Sequence, residues 1–117
     1  MLRNAKGARR YNDRVTLTWT EAAEDEFGHA QFKEPVKVLE VWAEVRQMSA
    51  TKTMLTFQQA DVVGVDVEFR QPDPERYKFN GILWRGHAIH FPTPEILDNR
   101  WRIVRVSGWY QIDNPVQ

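Results

Sequence analysis

Cysteine is absent from this chain, which excludes thiol catalysis, disulfide staples and cysteine zinc sites. No apolar run is long enough to span a membrane, because Asp61 and Asp66 interrupt the Val-rich stretch between them and beyond. The N-terminus lacks an apolar signal core, so the protein is expected to be soluble and to be made and used without secretion. Net charge is missing too: 16 basic residues balance 16 acidic ones, and the bulk electrostatics do not mark a nucleic-acid binder. Motifs that carry chemistry are equally scarce. There is no GxSxG elbow, no phosphate loop and no dinucleotide fingerprint. The carboxylates are scattered over loops and outward strand positions, with no pair set to face each other across a groove as glycoside hydrolysis requires. His87 and His90 are three apart, which in a strand sends them to opposite faces, and His29 stands alone in a turn. The residues nominate no catalytic group, no metal site and no cofactor.

What is present is β-pattern. A chain of 117 residues is one domain with one core, large enough to fold without staples. The longest β-type run, Val36 to Arg46, places Leu39, Val41, Ala43 and Val45 on one face and Val36, Val38 and Trp42 on the other with Glu40, Glu44 and Arg46. Two half-apolar faces suit a strand that bends around a small barrel and feeds the core from one face and then the other. Before it, Asp13 to Thr20 alternates cleanly, with Val15, Leu17 and Trp19 on the apolar side. After it, Ser49 is placed to cap a helix through about Ala60, with Ala50, Met54 and Phe57 as its apolar stripe. Val62 to Arg70 returns to period two, predicting Val63, Val65, Val67 and Phe69 inward and Asp66, Glu68 and Arg70 outward.

Turn chemistry divides the remainder. Pro72 and Pro74 break the ladder. Asn80-Gly81 and Arg85-Gly86 compete as hairpin turns within Tyr77 to Phe91. Pro92 to Asn99 reads as an exposed loop, and Arg100 to Tyr110 as a last strand whose apolar residues switch face at a bulge near Ile103. About six short strands with one helix inserted after the second make a small all-β barrel or sandwich.

Two segments and one Trp stand out for contacts with partners. Residues 1–12 read as a mobile basic arm carrying Arg3, Lys6, Arg9 and Arg10, ahead of a domain over 13–112 and a short tail over 113–117. Glu21 to Pro35 reads as a long exposed hairpin connection with an acidic start that includes Glu24, Asp25 and Glu26. Its Phe27 and Phe32 are too apolar for a wholly solvated loop, so they tuck under the barrel or meet a neighbouring molecule. Of the five Trp residues, Trp19, Trp42, Trp84 and Trp101 are expected in the core, and Trp109 is the one expected to lie exposed.

The order of DRVTL (Asp13–Leu17), DEFG (Asp25–Gly28), WAEV (Trp42–Val45), the Ser49–Ala60 helix, VEFR (Val67–Arg70) and WRGHAIHF (Trp84–Phe91) resembles the phage head-tail joining family. These are the head-closure, stopper or head-tail adaptor proteins of long-tailed phages. The likeness runs from Asp13 to about Val106, and the chain departs from the pattern in an extended RYKFNG stretch (Arg76–Gly81) and in the residues after Val106. The resemblance implies a structural, non-enzymatic β-barrel subunit, largely monomeric when free, that becomes a homo-oligomeric ring in the virion and is assembled in the host cytoplasm. Its implied partners are a portal or adaptor protein on one side and a tail completion or tail tube protein on the other, with weak contact to packaged DNA and no membrane. Ring closure through a heterologous interface would draw on the basic arm, the acidic loop and apolar contacts from Phe27, Phe32 or Trp109. The competing expectation is a monomeric nucleic-acid-binding barrel, which should carry its basic residues on a strand face with exposed aromatics between them.

Overall fold

The computed structural model describes residues 11–24, 30–32, 34–59 and 61–112. These form β1 (Asp13–Trp19), β2 (Ala22–Glu24), β3 (Ala30–Phe32), β4 (Val36–Gln47), α1 (Ala50–Phe57), β5 (Val62–Arg70), β6 (Gly81–Trp84), β7 (His87–Ile89), β8 (Glu95–Asp98) and β9 (Ile103–Gln111). Seven strands make one antiparallel sheet in the order β7-β6-β1-β4-β5-β9-β8, while β2 and β3 pair as a separate two-stranded arm. The fold is all-β, as expected, and the sheet curls into a half-barrel. Its curl brings β7 to β9, where His90 and Trp109 exchange backbone hydrogen bonds of 2.8 and 2.9 Å.

The core lies inside that curl. Val65, Val67 and Phe69 of β5 are fully buried, and Val63 packs against the cluster from a half-buried position. On β4, Val41 and Ala43 are buried, with Leu39 and Val45 packed beside them. The bend expected in β4 is also present. Leu17 pairs with Leu39 but Thr18 pairs with Lys37, so Val38 is an extra residue on the β4 side. That bulge lets two consecutive residues, Val38 and Leu39, both touch the core. Past the bulge Thr18 is buried, pairing with Lys37 and Gly81, while Trp19 pairs with the exposed Val36 at the end of β1 and is 38% exposed. The placement of Trp19 in the core is therefore corrected.

Three further expectations change. Helix α1 begins at its expected cap, where the Ser49 hydroxyl accepts from the Lys52 N–H at 3.1 Å, but it ends at Phe57 because Gln58 takes a left-handed φ of 56°. Its apolar stripe does not dock: Met54 is exposed, Phe57 is half-buried, and Thr53 is the buried residue. The helix instead packs through Thr53 onto Gly64, where a Cβ would meet Thr53 Oγ1 at 2.6 Å and Met48 Sδ at 2.8 Å. Between the competing turns, Arg85-Gly86 makes the hairpin, with φ of 50° and 81° as a type I′ turn requires. The segment 92–99, expected as a loop, contains the edge strand β8, all four of whose residues are exposed. An edge strand with no buried face carries no alternation to read. The irregularity expected near Ile103 sits opposite it, where Ile96 pairs with Val104, Asp98 pairs with Ile103 and Leu97 is bulged out.

Candidate functional site

The outer face of β4, β5 and β9 is charged. Register places Glu44 beside Glu68 and Glu68 beside Arg105, with Arg46 beside Asp66 and Asp66 beside Ser107 in the next row. Glu44, Arg46, Asp66, Glu68 and Arg105 line a shallow cleft of about 110 Å³. Its groups are already committed to each other. Tyr11 donates to Glu68 at 2.6 Å, Ser107 to Asp66 at 2.5 Å, Arg105 to Glu95 at 2.8 Å and Arg46 to Glu44 at 3.3 Å. A face whose opposite charges neutralise one another offers no basic track to a phosphate backbone. Strand faces of mixed sign were expected, and they are found.

The exposed apolar surface lies elsewhere, in separate patches. On the outer face of β1 and β4, Trp42 is 53% exposed beneath the Arg14 guanidinium, which sits 4.6 Å from the ring centroid. Arg14 also reaches Glu40 at 2.6 Å, with Lys37 at 3.5 Å on the same carboxylate. Bonded to Arg14 and flanked by Lys37, the Glu40 carboxyl is held below the usual carboxylate range. Arg14→Ala is expected to move the Glu40 midpoint upward, read by carboxyl-carbon NMR titration. A depressed carboxylate pKa favours the fold above the unfolded value, and that contribution fades as pH falls through the folded one. Since the pair is exposed, the titration should shift while the unfolding midpoint barely moves. An unmoved Glu40 titration would show that the pair does not persist in solution.

A second patch is Met54 and Leu55 on α1, and a third is Ile96 and Leu97 of β8 with Trp101 in the following turn. These corrections run against the expected core: Trp42 and Trp101 are exposed, and of the four Trp placed inside only Trp84 is buried. Trp42 had a readable signature, since its face of β4 also carries Glu40, Glu44 and Arg46. Trp101 precedes β9 in a turn ending at Arg102, whose φ is 56°, so it never shares a strand face with Ile103.

Three of the ten expected interface residues, Glu24, Phe32 and Trp109, are among the described residues. Arg3, Lys6, Arg9, Arg10, Asp25, Glu26 and Phe27 lie outside the described residues. Glu24 and Phe32 belong to the arm, paired with Ala30 and Ala22 respectively. Trp109, expected to be exposed, is half-buried, its ring stacked on His90 at 4.4 Å between centroids and its backbone held in the closing bridge. His87 stacks at 4.2 Å on Tyr110, the neighbour of Trp109 that points the other way, so the two histidines do face apart.

No family model and no curated protein matches the chain. Solved structures similar to it include the following two. A chain of the virion of a native gene transfer agent particle superposes with a TM-score of 0.67 at 13% identity, covering 88% of this chain and 96% of that one. Protein SF1141 from Shigella flexneri 2a superposes less closely, with a TM-score of 0.49 at 11% identity, covering 90% of this chain and 96% of its own. At such identities the first likeness establishes a shared fold, running nearly end to end through both chains.

Proposed function

We propose that this chain is a virion structural protein that joins head to tail, assembling as a ring beneath the portal and presenting a surface for the tail completion or tail tube protein. The observation that carries this reading is the near end-to-end likeness of fold to a chain of a gene transfer agent virion. The surface is in keeping with it. Charges on the outer sheet are paired among themselves, and the exposed apolar side chains are divided among patches too small for a deep ligand site but suited to several shallow contacts. In this reading the basic arm with Arg3, Lys6, Arg9 and Arg10 and the loop with Phe27 set orientation and contact at the portal. No catalytic step is assigned to the protein.

The test is a pull-down with the cognate portal followed by electron microscopy of the complex, comparing the full chain with a variant lacking residues 1–10 and with Phe27→Ser. Rings on the portal, lost or weakened in both variants, are expected. Failure to bind the portal at all overturns the reading. DNA affinity at physiological salt is the companion measurement: weak binding that disappears with residues 1–10 is expected, whereas tight binding that survives their removal identifies a nucleic-acid-binding barrel instead.

A further inference from the structure

We propose that neighbouring copies in the ring meet head to tail, with α1 of one copy seated on β8 and the Asp98–Trp101 turn of the next. The inference rests on the ring reading above and names the contact that closes it. Helix α1 spans eight residues, yet Leu55 is 76% exposed and Met54 lies beside it in the open, while Thr53 takes the docked face. Among the described residues, strand β8 has β9 on one side and no strand on the other, and its Ile96 and Leu97 are exposed together with Trp101. An exposed apolar edge strand is a surface that soluble chains normally cover.

Position and charge select the occupant. Helix α1 packs at the Gly64 end of β5, whereas β8 joins β9 where β9 pairs with Phe69 and Arg70. At about 3.4 Å per residue the two patches lie roughly 17 Å apart along the strand. Neither can cover the other within one subunit, and two unlike patches define a heterologous contact, the kind from which a ring is built when its rotation closes. Lys52 is the only charged residue of α1, and β8 begins and ends on Glu95 and Asp98. Glu95 is held by Arg105 of its own subunit, whereas Asp98 accepts, among the described residues, only from the backbone N–H groups of Arg100 and Trp101. Helix against edge strand therefore brings Lys52 to the unpaired charge of Asp98, while β8 against β8 of a second copy would gain no such pair. Each patch is a few side chains, short of the roughly 800 Å² per partner typical of stable complexes. The free chain accordingly stays monomeric, and the contact forms where a template gathers many copies.

The absence of cysteine makes the test clean. Leu55→Cys and Leu97→Cys, both at exposed positions, are purified separately and oxidised alone or mixed, free and on the portal. The mixed disulfide is expected to form about tenfold faster than either homodimer, and fastest on the portal, because docking raises the local concentration of the unlike pair. Circular dichroism confirms that both variants are folded. If Leu97→Cys homodimerises as fast as the mixture reacts, or if the mixture shows no preference free or on the portal, the α1-to-β8 contact is wrong. Portal binding is scored on the same variants before oxidation. Binding without the preferred disulfide overturns this contact and leaves the ring reading standing, and loss of portal binding by the unmodified chain overturns the reading itself.

Discussion

Replacing Phe69 by Ala is expected to lower the free energy of unfolding by about 3 to 5 kcal/mol. Phe69 is the largest fully buried side chain among the described residues, and its ladder neighbours Ala43 and Val104 are buried as well. Its ring meets Phe79 edge-on at 5.6 Å, and Phe79 in turn leans on Phe91 at 6.1 Å. Truncation removes the first member of that stack beside Ala43, which is too small to reach into the space. The loop that carries Phe79 is itself held in place, since the Gln71 side chain donates to the Tyr77 carbonyl at 3.1 Å. The cavity should therefore persist, which puts the cost toward the upper end for Phe→Ala. Against a total stability of about 5 to 15 kcal/mol, the variant sits near its unfolding threshold. Urea denaturation followed by Trp fluorescence reads the change, with Phe69→Leu recovering most of it. A loss of less than about 1 kcal/mol would mean that Phe79 or Phe91 collapses into the vacated volume.

How much of this was legible from the sequence depends on whether a residue's position follows from its own strand or from a partner. Strand β5 was readable because Val65, Val67 and Phe69 alternate with Asp66, Glu68 and Arg70, and the alternation alone decides which side is buried. The bend in β4 was readable for the same reason, both faces being half apolar. Trp19 was misplaced because its exposure depends on what lies beside it at the end of β1, where it pairs with the exposed Val36 of β4, and no pattern within β1 announces that partner. Asn80-Gly81 has strong local turn chemistry, yet tertiary contacts use it otherwise. The Asn80 amide both accepts from the Thr20 N–H and donates to the Thr20 carbonyl, each at 2.8 Å, so a side chain extends the ladder between β1 and β6. Of the candidate interface, the sequence pointed to the arm and the acidic loop. The exposed patches at Trp42, Leu55 and β8 emerged only with the fold, because an apolar residue is read as core until its neighbours across the strand are known.

Gly108→Ala is expected to open the barrel at its seam, at a cost of about 3 kcal/mol. Gly108 lies on β9 between Val106 and Tyr110 on the inward face, opposite Val65 of β5. A Cβ there would run into the backbone carbonyl oxygen of His90 and would stand 2.7 Å from Ile89 Cγ2 and 3.1 Å from Phe91 Cβ. That carbonyl accepts from the Trp109 N–H at 2.9 Å, and the His90 N–H donates back at 2.8 Å. One methyl group therefore pushes on the bridge that joins β7 to β9. Gly81 makes a useful contrast, since its added Cβ would meet the Thr18 hydroxyl. A side-chain oxygen can be removed, so Thr18→Ala should rescue Gly81→Ala. No truncation removes a backbone oxygen, and Ile89→Ala should fail to rescue Gly108→Ala because it leaves the carbonyl where it was. Hydrogen exchange locates the damage. The amides of His90 and Trp109 should lose protection in Gly108→Ala before those of β4 and β5 do, since opening the seam leaves the central ladder paired. Protection retained at both seam amides, together with an unchanged urea midpoint, would show that β7 can shift aside and that the His90 to Trp109 bridge is not what closes the sheet.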